Sequence, residues 1–254
     1  MLGGMASVEA APSWASRASP PKLGADEVHV WHFPLVIPPG REANWRTVLS
    51  PAERERADKF AFPHLRERYL AAHAIMRRLL GSYLRVDPVS LVFEIAVRGK
   101  ASLPGHALHF NLSHTNDHGL LAVTRAGEVG VDIESIDRKV DRAGIAGRFF
   151  SRAEADELAS LAPDLQPEAF CNLWTRKEAW LKATGVGISE GLNQVEFNCR
   201  PGEPARLLRI NGDEREAAGW FLHSFRPPGE HLGAVAVRAR DVKVRCFEFV
   251  DQTT

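Results

Sequence analysis

Three carboxylates and two lysines fall in two short stretches of this chain, spaced in a way that suits a metal-bound phosphate. Residues 173–187 read Leu-Trp-Thr-Arg-Lys-Glu-Ala-Trp-Leu-Lys-Ala-Thr-Gly-Val-Gly. On a helix, Trp174, Glu178 and Lys182 stand at i, i+4 and i+8 along one stripe, with Lys177 beside it. Gly185 has the residue type that a left-handed helix cap favours. Standing alone, a glutamate four residues before a lysine is also the ordinary surface ion pair of a helix. The second stretch, Val131-Asp132-Ile133-Glu134, reads as a strand end, and residues two apart on a strand share a face. Asp132 and Glu134 are then either solvated acids on an exposed edge or two ligands of one cation. Oxygen ligands without a His or Cys cluster select Mg²⁺ rather than zinc, with Mn²⁺ as the alternative ion. Glu178 offers a third oxygen.

Two further stretches carry groups suited to anions. Asn111-Leu112-Ser113-His114-Thr115 ends another strand, where Ser113 and His114 fit as hydrogen-bond donors to a phosphate. Adjacent Ser and His do not make a nucleophile and its base, and no G-x-S-x-G elbow is present, so serine hydrolysis is poorly supported. His114 and His118 are four apart but lack the H-E-x-x-H pattern and a third ligand, which argues against zinc. Arg98-Gly99-Lys100 reads as a turn carrying two cations. Arg54, Arg56, Lys59 and Arg68 lie on or between two helices of the first half, either as a solvated face or lining a polyanion pocket.

The elements that must position these groups follow from the rest of the chain. Its 254 residues are 44% hydrophobic and 25% charged, the balance of a globular protein. The 32 basic and 32 acidic residues cancel, which counts against a nucleic-acid binder working by general phosphate neutralisation. No apolar run is long enough for a membrane span. Cys171, Cys199 and Cys246 are few and widely spaced, and read as reduced, buried thiols of a cytoplasmic protein. Residues 1–25, rich in Ala, Ser and Pro, read as a disordered leader.

From residue 26 the chain repeats itself. Glu27-Val28-His29-Val30-Trp31 parallels Glu128-Val129-Gly130-Val131-Asp132, and Leu49-Ser50-Pro51-Ala52-Glu53 parallels Phe150-Ser151-Arg152-Ala153-Glu154, both at an offset of 101. A helix ending at Gly81 and a strand holding Phe93 match Gly185 and Phe197 at an offset of 104. Ser50 with Glu53, and Ser151 with Glu154, form S-x-x-E capping boxes. The longer helix of the first half is expected over roughly 65–84. Residues 219–223 and 231–238 read as strands. The expectation is an α+β fold: two similar α/β halves, 26–127 and 128–254, packed as a monomeric pseudo-dimer with the active site in the cleft between them. Trp31 and Phe33 of the first half correspond to Asp132 and Glu134 of the second, and Ala74 corresponds to Glu178. Carboxylates have gathered in one half only.

In order, these motifs are Gly99-Lys100, Asn111 to Thr115, Gly130 to Glu134, Arg148-Phe149-Phe150-Ser151 and Trp174 to Lys182. Over roughly residues 28–240 that series resembles the 4'-phosphopantetheinyl transferases of the surfactin-synthetase-activating type. The resemblance implies a reaction in which coenzyme A donates its phosphopantetheine arm to a serine of an apo acyl or peptidyl carrier protein, releasing 3',5'-ADP. It implies Asp132, Glu134 and Glu178 as Mg²⁺ ligands, Glu178 as general base, and Lys182 as the charge facing the leaving phosphate. Lys177 would lie beside the donor phosphates and the pantetheine arm. Ser113 and His114 would bind phosphates, Lys100 the adenosine end, and Arg56 and Arg68 the 3'-phosphate side, with the first half as the nucleotide side. Two positions depart from the family pattern. Glu53 stands where a lysine often follows the first helix cap, with Arg54 or Arg56 to compensate, and Ala101 stands where a proline often follows the lysine. Phe149 and Phe150 divide between an apolar contact for the carrier and core.

Two other classes of function compete. A Mg²⁺-dependent nuclease or phosphodiesterase also uses an acid-x-acid pair followed by an E-x-x-x-K helix, but the chain lacks a basic stripe. A non-catalytic carrier- or CoA-binding module has no need of all these acids and lysines.

Overall fold

The computed structural model describes residues 13–137, 140–187 and 192–251. The order of elements is β1 (Ala15–Arg17), β2 (Glu27–Pro34), α1 (Glu42–Thr47), α2 (Pro51–Asp58), α3 (Pro63–Leu84), β3 (Glu94–Ile95), β4 (Ala101–Ser102), β5 (His109–Thr115), β6 (His118–Thr124) and β7 (Val129–Ser135). Then follow α4 (Arg142–Phe149), α5 (Arg152–Ser160), α6 (Gln166–Thr184), β8 (Val195–Phe197), β9 (Leu207–Ile210), α7 (Glu214–Ala217), β10 (Phe221–Phe225), β11 (His231–Val237) and β12 (Lys243–Phe249). The fold is mixed α+β.

Two sheets carry the architecture. One runs β1-β12-β2-β6-β5, and the other β10-β11-β7. Period-two alternation decides what each strand faces. On β2, Trp31 and Phe33 are fully buried with Leu70, Ala74 and Ile75 of α3, while Val28 and Val30 belong to a second core. On β7, Val129, Val131 and Ile133 enter that second core, together with Leu120 and Ala122 of β6 and Val235 of β11. Thus β7 turns Gly130, Asp132 and Glu134 the other way, toward α6. The core shared by both sheets fixes the relation of the two halves.

Both capping boxes are formed, at Ser50/Glu53 and Ser151/Glu154. Each capping glutamate also holds a cation from the following long helix. Glu53 pairs with Arg77 at 2.6 Å, and Glu154 with Lys177 at 2.8 Å. These pairs lie 100–101 residues apart in sequence, which aligns Lys177 with Arg77 and Glu178 with Arg78, not Ala74.

The structure differs from the sequence expectations in other places. The expected helix over roughly 65–84 is α3, but Gly81 lies inside it; α3 continues to Leu84 and ends at Arg85 in the left-handed region (φ 58°), as α6 ends at Gly185 (φ 72°). Phe93 precedes β3 instead of lying in it. Residues 15–17, expected within the leader, form a strand parallel to β12; residues 1–12 lie outside the described residues. The division at 127/128 is crossed, because β12 pairs parallel with β2 in the first sheet. It covers an edge of β2 that would otherwise present unpaired backbone groups. All three cysteines are free and buried. No helix among the described residues is long and apolar enough to cross a membrane.

Candidate active site

Gly130 is what brings the acidic strand and the α6 stripe together. A Cβ there would lie 2.0 Å from the Ala179 carbonyl oxygen and 2.4 Å from the Ala183 nitrogen. Only glycine lets β7 approach the helix backbone so closely. The next outward residue, Asp132, then meets Lys182. The Lys182 ammonium donates to Asp132 Oδ1 at 2.6 Å and to Ser113 Oγ at 2.7 Å, and Ser113 Oγ donates to the same Asp132 oxygen at 2.9 Å. Three predicted residues from α6, β7 and β5 therefore form one cluster. Glu134 lies one pleat further along, where its Oε2 accepts from Thr115 Oγ1 at 3.3 Å.

Among the described residues, two carboxylate oxygens of this cluster find no hydrogen-bond partner: Asp132 Oδ2 and Glu178 Oε1, both shielded from solvent. Burial raises the Glu178 carboxyl to about 7, the charges of Asp132 and Glu134 add to the rise, and Lys182 opposes it. The donor set fits a hard, oxygen-preferring ion. Among the described residues no three His, Cys, Asp or Glu side chains are gathered tightly enough to hold a metal ion unaided.

Two cavities flank the cluster. One, of about 400 Å³, is lined by Lys100, Glu178, Lys182 and Gly185. The other, about 690 Å³, is lined by Arg68, Tyr69, His73, His114, Thr115 and Glu134. His114 is exposed at its rim, and its crowded imidazole is held below the usual histidine value, with Lys182 and Arg68 adding to the effect. Arg68 pairs with Asp117 at 2.7 Å. Arg56 is exposed on α2, its guanidinium 5.5 Å from the Tyr69 ring centroid. Arg54 is instead tied to the carbonyls of Arg46 and Leu49. Lys100 spans the junction of the halves, bonding Glu128 and the Ala183 carbonyl at the end of α6. A smaller apolar pocket beside Glu134 is lined by Ile145, Phe149, Phe170 and Trp174. Of the two phenylalanines, Phe150 is core and Phe149 is partly exposed.

Lys177 requires a correction. It is fully buried, and Glu154 at 2.8 Å, the Leu192 carbonyl at 2.6 Å and the Val195 carbonyl at 2.5 Å use its three N–H donors. No donor remains for a ligand. One position along a helix turns a side chain by about 100°, so Glu178 faces the cleft and Lys177 faces the interior of its own half.

The comparisons with known proteins bear on the same region. Residues 128–236, which contain β7 and α6, match the family model described as the 4'-phosphopantetheinyl transferase superfamily. The 4'-phosphopantetheinyl transferase HetI of Nostoc sp. is 36% identical over 229 residues, covering 89% of this chain and 93% of that protein. The chain belongs to the 4'-phosphopantetheinyl transferase superfamily. It is also 38% identical to the 4'-phosphopantetheinyl transferase psf-1 of Bacillus pumilus over 170 residues, 65% of this chain and 70% of that one. A solved holo-[acyl-carrier-protein] synthase of Thermotoga maritima aligns with a TM-score of 0.34 and 21% identity, over 44% of this chain and 63% of that chain. The enzyme class is therefore phosphopantetheinyl transfer, and the nuclease and non-catalytic readings fall away. Two residues to which the sequence assigned no role touch the acidic strand: Asn111, whose Oδ1 accepts from the Val131 N–H at 2.9 Å, and Thr115, whose Oγ1 donates to Glu134. Their signal was the i, i+2, i+4 spacing with Ser113 on one strand.

Proposed function

We propose that this transferase moves the 4'-phosphopantetheine arm of coenzyme A to a serine of an apo acyl or peptidyl carrier protein, giving holo carrier protein and 3',5'-ADP. The observation that carries this reading is the pair of orphaned oxygens, Asp132 Oδ2 and Glu178 Oε1, buried beside the Lys182 ammonium. In the reaction the serine Oγ forms a bond to the pantetheine-bearing phosphorus, the pyrophosphate P–O bond breaks, and the bridging oxygen leaves with 3',5'-ADP. Glu178 takes the serine proton as general base. Lys182, paired with Asp132 in the structure, would stabilise the charge growing on the leaving phosphate. Asp132 and Glu178, with Glu134 beside them, would hold Mg²⁺ or Mn²⁺, which supplies charge neutralisation of the pyrophosphate. His114 binds the donor phosphates, with Arg68 and Arg56 toward the 3'-phosphate and Lys100 toward the adenosine end, while Ser113, whose one O–H is on Asp132, orients that carboxylate.

The same reading treats the chain as a monomeric pseudo-dimer. Paired capping boxes, paired buried ion pairs and the common helix-facing positions of Trp31/Asp132 and Phe33/Glu134 support it. The buried free thiols accord with work in the cytoplasm.

The test is transfer itself. Apo carrier protein, CoA and Mg²⁺ are mixed with the enzyme and the carrier is weighed by mass spectrometry. A phosphopantetheine adduct is expected, and no adduct on carriers of fatty-acid, polyketide and nonribosomal-peptide type overturns the reading. Glu178→Gln should abolish transfer with the fold intact; near-normal turnover by that variant refutes the assignment of the base.

A further inference from the structure

The acidic strand β7 is an edge strand of one sheet, and β5 is an edge strand of the other. Three side chains of β5 reach across this seam. Asn111 Oδ1 accepts from the Val131 N–H at 2.9 Å, Ser113 Oγ donates to Asp132 Oδ1 at 2.9 Å, and Thr115 Oγ1 donates to Glu134 Oε2 at 3.3 Å. Their alternation is that of one strand face; Phe110 and Leu112 point the opposite way, into the core of the first half. Each contact fixes a different part of β7: its backbone just before the first acid, then the first carboxylate, then the second. Past Thr115 and Glu134 the seam opens into the 690 Å³ cavity.

We propose that Asn111 and Thr115 are positioning residues, which with Ser113 form a polar ladder that sets the carboxylates of the second half for a divalent cation. The inference rests on the metal role of Asp132, Glu134 and Glu178 given above. A free glutamate side chain has rotamer entropy to lose when it takes up a ligand. Thr115 removes part of that cost by holding one Glu134 oxygen before the cation arrives. Asn111 satisfies a buried N–H on the unpaired edge of β7, so the strand bearing Asp132 keeps its depth relative to β5. Hydrogen bonds that orient ligands govern metal affinity in this way. The ladder also makes the site depend on both halves, because the ligands come from one and their alignment from the other.

The test measures Mn²⁺ binding to the intact enzyme with CoA present, by calorimetry or by the electron-spin signal of free Mn²⁺. Thr115→Val keeps the shape and removes the donor; Asn111→Ala removes the acceptor; Thr115→Ser restores the hydroxyl. Thr115→Val and Asn111→Ala are expected to weaken Mn²⁺ binding about tenfold, the lower end for loss of a ligand-orienting contact, and Thr115→Ser to recover most of it. In turnover, the Mg²⁺ requirement should rise, and at saturating Mg²⁺ the KM for CoA should stay close to wild type. A wild type that binds no Mn²⁺ with CoA present overturns the metal reading and the ladder with it. A wild type that binds Mn²⁺, alongside variants whose affinity matches it, overturns the ladder alone, whatever their melting temperatures.

Discussion

Lys177→Met separates a structural lysine from a ligand-binding one. The Lys177 ammonium and the Glu154 carboxylate are 0% and 2% exposed and 2.8 Å apart. Burial pushes Lys177 down and Glu154 up, against their mutual attraction. The pair is therefore costly to bury, yet costlier to break: removing one partner strands the other charge, at about 3–5 kcal/mol. Glu154 keeps its bonds from the Ser151 and Phe197 N–H groups, which puts the expected loss toward the lower end. At about 2–4 °C per kcal/mol for a chain of this size, the melting temperature should fall by roughly 6–12 °C. Adding Glu154→Gln removes the stranded charge but turns an amide NH2 toward either the Ser151 or the Phe197 N–H, so it should recover only part of that loss. The assay is thermal unfolding of wild type, both single variants and the double variant, with steady-state kinetics well below the transitions. Because Lys177 has no free donor, KM for CoA should stay within about twofold of wild type. An unchanged melting temperature with KM raised about tenfold, equivalent to roughly 1.4 kcal/mol of lost binding, would refute the reasoning and restore Lys177 to the CoA site.

Three other outcomes are expected. Gly130→Ala puts a methyl group 2.0 Å from the Ala179 carbonyl oxygen; α6 must shift, costing about 1–3 kcal/mol or more, and kcat should fall more than stability explains, as read by turnover at a temperature where the variant is folded. His32, buried against His118 and in contact with Trp14, has its pKa lowered to about 4 by burial and by the nearby charges of His118 and His231, while Asp117 acts on His118 in the opposite sense. Its folded pKa lies below the unfolded value, so the unfolded chain binds more protons and stability drops as pH falls from 6.5 toward 4, by at most about 3 kcal/mol; urea unfolding across that window should show a shallower decline for His32→Asn, and an identical slope would remove His32 as the cause. Arg77→Met should destabilise the first half much as Lys177→Met does the second, since Arg77 is 2% exposed and holds Glu53 at 2.6 Å; a melting temperature unchanged by this substitution would mean that the two pairs are not equivalent.

Local patterns carried much of the fold. Capping boxes at Ser50 and Ser151 marked helix starts because they need only residues three apart, and both formed. The alternation Val131-Asp132-Ile133-Glu134 assigned two carboxylates to one face, and the strand obeys it. The end of α3 falls where the expected span of roughly 65–84 put it and not at Gly81, with Arg85 adopting the left-handed conformation that glycine usually supplies. The strand at residues 15–17 was illegible because its partner, β12, lies some 230 residues away and the segment has no apolar pattern of its own.

The sequence by itself determined the chemical inventory: three acids, Lys182, and the Ser113-His114 pair, at spacings that local periodicity turns into faces. Tertiary structure decided which of them meet. Lys177 and Glu178 are neighbours of similar polarity, and only the packing of α6 between its own core and the cleft sends one inward to Glu154 and leaves the other beside Asp132. Likewise, Asn111 and Thr115 gained their places from the meeting of two sheet edges. That contact depends on the shared core between the halves, not on any run of adjacent residues.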